Sequence, residues 1–182
     1  ANKGVYSKPI AITKIEDRYG NIIREYYPAQ YEVLSEETAY LMTNLMQTVM
    51  DRGTGGSARW KYNFTRPAAG KTGTTQGWSD AWFVGFTPQL ATGVWFGVDD
   101  YQVSLGKGQD GSKAALPSWA EFMRESHKTL ELPRLNFQKP SGVVVFEICS
   151  VSKTGARNTC PVEKEVYKSG TEPVQKCRIH RN

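Results

Sequence analysis

Gly70-Lys71-Thr72-Gly73-Thr74-Thr75 is the string whose residue types and spacing could do chemistry, and two readings compete for it. A phosphate loop would need a glycine five positions before Gly70. That position is Thr65, Pro67 interrupts the segment between, and a strand-like run follows where a helix should begin. The nucleotide-hydrolysing reading is set aside on those departures. Read as a strand, the string points Lys71 and Gly73 to one face and Thr72 and Thr74 to the other, with the two hydroxyls about 7 Å apart. Such a pair can grip one carboxylate. Gly73 leaves room for another backbone, Lys71 puts positive charge beside a reacting centre, and an edge strand can hold an extended peptide by main-chain hydrogen bonds. An ordinary strand with an exposed lysine carries the same letters, so context decides.

The other candidates have bland readings that weigh more. Ser150-x-x-Lys153 has the spacing of a serine nucleophile and its lysine, but it follows a predicted strand instead of lying on a helix. His127 ends a predicted helix, where it suits the negative end of the dipole, and no serine is placed to make a triad with it or with His180. Asp80 reads as a hydrogen-bonding group at a strand start, and Trp78, in the turn after the Lys-Thr-Gly string, either lines a groove or is an exposed turn tryptophan. Cys149, Cys160, Cys177 and His180 are spaced C-x10-C-x16-C-x2-H. That set allows a Cys3His zinc site, although structural zinc sites more often present two close pairs.

The elements that must position these groups are read from periodicity. Residues 9–28 predict a hairpin: Ile10, Ile12 and Ile15 run outward, Asp17-Arg18-Tyr19-Gly20 turns, and Ile22 to Tyr27 return. Ser35 predicts an N-cap, and Leu41, Met42, Leu45, Met46, Val49 and Met50 recur at helical spacing until Gly53; this stripe is expected to be core. Apolar or β-branched runs near 69–75, 80–86 and 91–98, joined by short links, predict an antiparallel meander. Pro117 opens a helix expected to bury Trp119, Phe122 and Met123 and to end near His127. Residues 128–142 read as a linker, and a second small unit starts with the strand Val143 to Cys149.

The chain has 182 residues, of which 39% are hydrophobic and 23% charged, and a net charge of +5. Its 17 glycines have no triplet period and no run reaches the roughly 18 apolar residues of a membrane span, so collagen-like and membrane-spanning classes are excluded. Residues 151–182 hold seven basic and three acidic side chains, so the excess charge belongs to the tail. These basic residues are scattered among glutamates, without the clustering of a nucleic-acid surface, and no nucleic-acid partner is expected. The opening Ala1-Asn2-Lys3-Gly4 has neither an initiator Met nor an apolar signal core and reads as a piece cut from a longer protein.

The context that decides the Lys-Thr-Gly reading is Asp80-Ala81-Trp82-Phe83-Val84-Gly85-Phe86-Thr87-Pro88 and Gly93-Val94-Trp95-Phe96-Gly97-Val98-Asp99-Asp100, with Gly53-Thr54-Gly55 before and Gly170-Thr171-Glu172-Pro173 and Cys177-Arg178-Ile179-His180 after. Together these closely resemble the transpeptidase domain of class A penicillin-binding proteins, over nearly the whole chain. The resemblance implies a mixed α/β fold, an antiparallel sheet flanked by helices, of the penicillin-recognising serine transpeptidase and β-lactamase kind, present as a partial domain. It implies residues 1–142 as the latter half of a transpeptidase domain and 143–182 as a small C-terminal extension. The implied reaction is D,D-transpeptidation: a serine of Ser-x-x-Lys attacks the penultimate D-alanine carbonyl of a peptidoglycan stem peptide, and an amine resolves the acyl-enzyme.

In that scheme Lys71 is the electrostatic group, Thr72 and Thr74 hold the terminal carboxylate, the N–H of Thr74 is an oxyanion donor, and Gly73, Thr75 and Trp78 border the substrate. Neither Ser-x-x-Lys nor Ser-x-Asn precedes Lys71, so both are expected from a complementary N-terminal half, and the isolated chain is expected to be inactive. The implied compartment is extracytoplasmic, with β-lactams and stem peptides as ligands, no cofactor, no metal, and membrane attachment only through an anchor outside this chain. That compartment makes a Cys160–Cys177 disulfide the expected use of two cysteines. The alternatives are a serine β-lactamase fragment, which lacks the Asp-Ala-Trp-Phe strand and the long tail, and a non-catalytic wall-binding module built on the tail.

Overall fold

The computed structural model describes residues 1–100 and 102–180. The three apolar runs form β5 (Ala69–Thr74), β6 (Asp80–Phe86) and β7 (Ala91–Gly97), one antiparallel sheet in the order β5-β6-β7. Small residues let a tryptophan seat on this sheet. At Gly85, a Cβ would come within 2.7 Å of the Trp119 ring, so only glycine lets that indole sit so close to β6. Trp119 comes from α3 (Leu116–Thr129), which Pro117 opens, and packs edge-on against Phe83 at 4.9 Å and Phe64 at 5.2 Å between ring centroids. Its Nε1–H donates to Thr92 O at 3.1 Å and more distantly to Gly85 O at 3.3 Å, so its one polar atom is satisfied inside the core.

The helix predicted after Ser35 is α1 (Glu36–Arg52): Ser35 Oγ accepts the Thr38 N–H at 3.3 Å, Glu36 and Glu37 occupy the first turn, and Gly53 ends it. Two expectations about burial are corrected. In the α1 stripe Met50 is fully buried, but Met42 and Leu45 are 55% and 58% exposed, because the stripe is wider than the surface this chain lays against it. In α3 Phe122 is exposed, and His127 is buried in its place. The buried positions 116, 119, 120, 123 and 127 follow the helical repeat, which turns Phe122 outward. His127 Nδ1 donates to Met123 O at 2.7 Å, while its Nε2 meets the Thr87 hydroxyl at 3.0 Å, so this histidine fastens α3 to the β6–β7 turn instead of capping a helix end.

Before α1, β2 (Lys14–Glu16) and β3 (Ile22–Glu25) form the predicted hairpin, shorter than expected, with Asp17 Oδ1 accepting the N–H groups of Tyr19 and Asn21 at 2.8 and 3.0 Å. It is bracketed by a pairing the sequence did not announce, β1 (Val5–Ser7) with β4 (Gln30–Glu32). A short helix α2 (Ser57–Trp60) leads into the meander. The linker after α3 is tied down: Arg66 donates to Leu132 O and Pro133 O at 2.7 and 2.9 Å, and Arg134 donates to Thr65 O at 2.9 Å.

The tail carries β8 (Val143–Cys149), as predicted, paired antiparallel with β9 (Val162–Lys168). The expected Cys160–Cys177 disulfide does not form, for all three cysteines are free. The reason is local: Cys177 Sγ is held 3.4 Å from His180 Nδ1, and Cys149 Sγ meets the same nitrogen at 3.4 Å, so the sulfurs converge on a histidine instead of on each other. No helix among the described residues is long and apolar enough to cross a membrane.

Candidate active site

The Lys-Thr-Gly string lies on β5, which is an edge strand, paired with β6 on one side only within its sheet. Thr75 N–H donates to Asp80 O at 3.2 Å, toward β6. Donors alternate in direction along an antiparallel strand, so the N–H of Thr74 points the other way, to the open edge. Lys71 Nζ lies at that edge, donating to Thr72 O at 2.9 Å and to Thr72 Oγ1 at 3.3 Å. An exposed ammonium, an outward N–H and a threonine hydroxyl thus share one rim of the sheet.

The register supports the two-face reading of the strand. Thr72 and Thr74 stand opposite Phe83 and Ala81, both buried, while Lys71 and Gly73 stand opposite Val84 and Trp82, both exposed. Each threonine hydroxyl already has a partner within the chain. Thr72 Oγ1 meets Thr54 Oγ1, in the loop after α1, at 3.0 Å, and Thr74 Oγ1 accepts the Gly111 N–H at 3.2 Å. A hydroxyl that accepts still has its proton to donate, so the Thr74 O–H remains available to an acceptor at the rim.

The remaining sequence candidates have structural jobs that the distances define. Thr75 Oγ1 accepts the Asp80 N–H at 2.8 Å and meets Ser79 Oγ at 2.8 Å, which commits that hydroxyl to the β5–β6 turn. Asp80 Oδ1 accepts the indole N–H of Trp95 at 2.7 Å, the hydrogen-bonding role expected of a carboxylate at a strand start. Trp78 sits half-buried in the turn at φ +57°, and its carbonyl accepts the Leu105 N–H at 2.7 Å, which ties the 104–106 loop beside the end of the motif. Ser150 and Lys153 lie in the turn after β8, with Lys153 at φ +56° and its ammonium paired to Glu163, so the pair lacks the helical turn that an activated serine needs.

Sequence reasoning missed the support behind Thr74. Asp110 caps a π-helical turn (Gly111–Ala115), accepting the N–H groups of Ser112 and Lys113 at 2.8 and 3.1 Å. The Ser112 hydroxyl, chiefly, with these two N–H donors, holds the Asp110 carboxyl below the usual carboxylate range. The turn thrusts Gly111 against β5 and β6 so closely that a Cβ there would lie 2.2 Å from Trp82 O. A glycine after a capping aspartate was the available signal, but nothing local said which strand it would touch.

Comparisons with known proteins give the family and the fold. Residues 1–124 match the penicillin binding protein transpeptidase domain. The chain belongs to the penicillin-binding protein transpeptidase family. Residues 139–182 match the C-terminal domain of penicillin-binding protein 1A. Penicillin-binding protein 1A of Clostridium tetani is 37% identical over 98% of this chain and 23% of its own length. That of Aquifex aeolicus is 38% identical over 97% of this chain and 24% of its own. The crystal structure of penicillin-binding protein 1A from Haemophilus influenzae superposes with a TM-score of 0.86 at 25% identity, covering 97% of this chain and 31% of that one. The penicillin-recognising fold, with its antiparallel sheet and flanking helices, is therefore shared. The chain spans about a quarter of the length of the curated relatives it matches.

Proposed function

We propose that this chain supplies the Lys-Thr-Gly wall of a serine D,D-transpeptidase site that crosslinks peptidoglycan outside the cytoplasmic membrane. The observation that carries the reading is the shared rim: the Lys71 ammonium, the Thr72 hydroxyl it meets at 3.3 Å and the outward N–H of Thr74 border the open edge of β5. An extended stem peptide laid along that edge pairs with the main chain, and its terminal carboxylate takes hydrogen bonds from Thr72 and Thr74. The Thr74 N–H then stabilises the oxyanion that develops when the penultimate D-alanine carbonyl is attacked. Gly73 keeps the exposed face of the strand clear, while Thr75 and Trp78 hold the turn that ends it. β-Lactams occupy the same place as donor mimics.

The nucleophile is absent from the sequence ahead of Lys71, so the reading assigns Ser-x-x-Lys and Ser-x-Asn to a complementary N-terminal half of the domain, and the isolated chain is inactive. Exposed apolar surface supports that partner: Met42 and Leu45 on α1, and Trp82 and Trp95, each 44% exposed, on the sheet. The domain division follows as 1–142 for the transpeptidase half and 143–182 for the extension. Acylation by a fluorescent penicillin, measured on the intact protein with Lys71→Ala, tests the assignment. A loss of roughly 100-fold or more in acylation rate is expected for removing a preorganised charge at the oxyanion. Acylation at the unaltered rate would remove Lys71 from the site.

A further inference from the structure

The tail beyond Gly142 has little with which to hold itself together. It is a two-stranded antiparallel sheet, β8 with β9, followed by an irregular return, and its buried apolar side chains are Val143, Ile148, Cys149 and Cys177. A unit of about 40 residues with so small a core usually needs a metal, a disulfide or a partner. The disulfide is not made. What the fold assembles instead is a set of ligand atoms: the sulfurs of Cys149, Cys160 and Cys177 and a ring nitrogen of His180 all lie within 4.8 Å of one another.

We propose that Cys149, Cys160, Cys177 and His180 form a structural zinc site that closes the C-terminal unit. A tetrahedral zinc with Zn–S of about 2.3 Å and Zn–N of about 2.0 Å spaces its sulfurs about 3.8 Å apart and sulfur from nitrogen about 3.5 Å. The two sulfur-to-His180 Nδ1 distances are 3.4 Å. Three thiolates with one imidazole form a soft, closed set that leaves no open coordination position, which suits structural zinc and no hydrolytic role.

Each ligand reaches the cluster through a backbone feature that exists without the metal. The β8–β9 register sets Cys149 opposite Val162, so Cys160, two residues before that strand, arrives beside it. A parallel bridge between Gly155 and Lys176, with Cys177 N–H donating to Gly155 O at 2.9 Å, brings in the third cysteine and, three residues on, His180. Backbone donors surround the sulfurs as they do in metal thiolates: Ser152 N–H points at Cys149 Sγ at 3.5 Å and Arg157 N–H at Cys160 Sγ at 3.3 Å.

Charge fits as well. Binding Zn2+ to three thiols and a neutral imidazole releases three protons and leaves a centre of charge −1. The segment 151–182 carries seven basic against three acidic residues, so a centre of charge −1 falls in a stretch of net positive charge.

The test is metal content and thiol count on the chain purified under reducing, chelator-free conditions. One zinc per chain by elemental analysis is expected. Three thiols should become reactive only after chelator and denaturant, and cobalt exchange should give the intense visible bands of a tetrahedral thiolate site. Cys160→Ser, at the half-buried ligand, and His180→Ala should lose zinc to a chelator that leaves the parent loaded. If these variants fail to fold, the parent's own stoichiometry still decides. A metal-free chain with one disulfide and one free thiol overturns the proposal, and iron in place of zinc overturns the assignment of the metal.

Discussion

Replacing Thr74 by Val separates catalytic from structural contributions at the strand edge, because it removes one oxygen and keeps the shape. Two hydrogen bonds are lost with different consequences. The first is the Gly111 N–H to Thr74 Oγ1 contact at 3.2 Å, which leaves a part-buried donor without its acceptor and costs about 1 kcal/mol, offset in part by the strand preference of Val. The second is the proposed bond from the Thr74 hydroxyl to the substrate carboxylate, worth about 1.5–3 kcal/mol because the acceptor is charged. The chain should therefore unfold in urea within about 1 kcal/mol of the parent, while the intact protein acylates with penicillin about 10- to 150-fold more slowly. Thr74→Ser restores the hydroxyl and should recover most of the rate. Stopped-flow acylation with parallel urea titrations measures both quantities. Undiminished acylation of the Val variant would refute the clamp, and a rate loss matched by an equal loss of stability would reduce Thr74 to a packing residue.

The support behind that clamp makes two further predictions. Gly111→Ala forces a Cβ to within 2.2 Å of Trp82 O, so the π-helical turn must retreat; a stability loss of about 1–3 kcal/mol and slower acylation in the intact protein are expected, and unchanged urea midpoints would contradict the close approach. Asp110→Ala removes the cap and costs about 1 kcal/mol at neutral pH. Because the Asp110 carboxyl titrates lower in the folded chain, its contribution is fully present above the ordinary value of 3.8 and is lost as pH falls through the depressed one, so the variant's deficit in urea titrations should shrink below about pH 4.

Much of the fold could be read from spacing alone. Ser35, the 3.6-residue stripe and Gly53 marked α1 to within a residue, and short turn-rich links marked three antiparallel strands, because those signals are local. What escaped depends on long-range pairing. Val5–Ser7 meets Gln30–Glu32 across the whole hairpin, and β9 reads Val-Glu-Lys-Glu-Val-Tyr-Lys, with charges on both faces, so β8 is needed to define it as a strand. Two misses had a usable signal. His127 falls four residues after Met123 on the buried stripe of α3, which the expectation of a terminal charge overlooked. The convergence of the cysteines was the other, hidden by their wide spacing until the strand register folded Cys160 back toward Cys149. At the rim of β5, sequence supplied the residue types and their alternation, but the outward direction of the Thr74 N–H follows from a pairing with Asp80 that only the fold reveals.

The central claim, that this chain is one wall of a split acyl-transfer site, is tested most directly by intact-mass spectrometry after exposure to penicillin, on the chain alone and on the chain combined with the N-terminal half of its transpeptidase domain. An oxyanion donor and a carboxylate clamp without an attacking serine form no covalent intermediate. No adduct is expected on the 182-residue chain in either sample, and a penicilloyl adduct is expected on the complementary half at its Ser-x-x-Lys serine, forming faster when this chain is present. An adduct on this chain, at Ser150 above all, or labelling of the other half that is indifferent to this chain's presence, would contradict it.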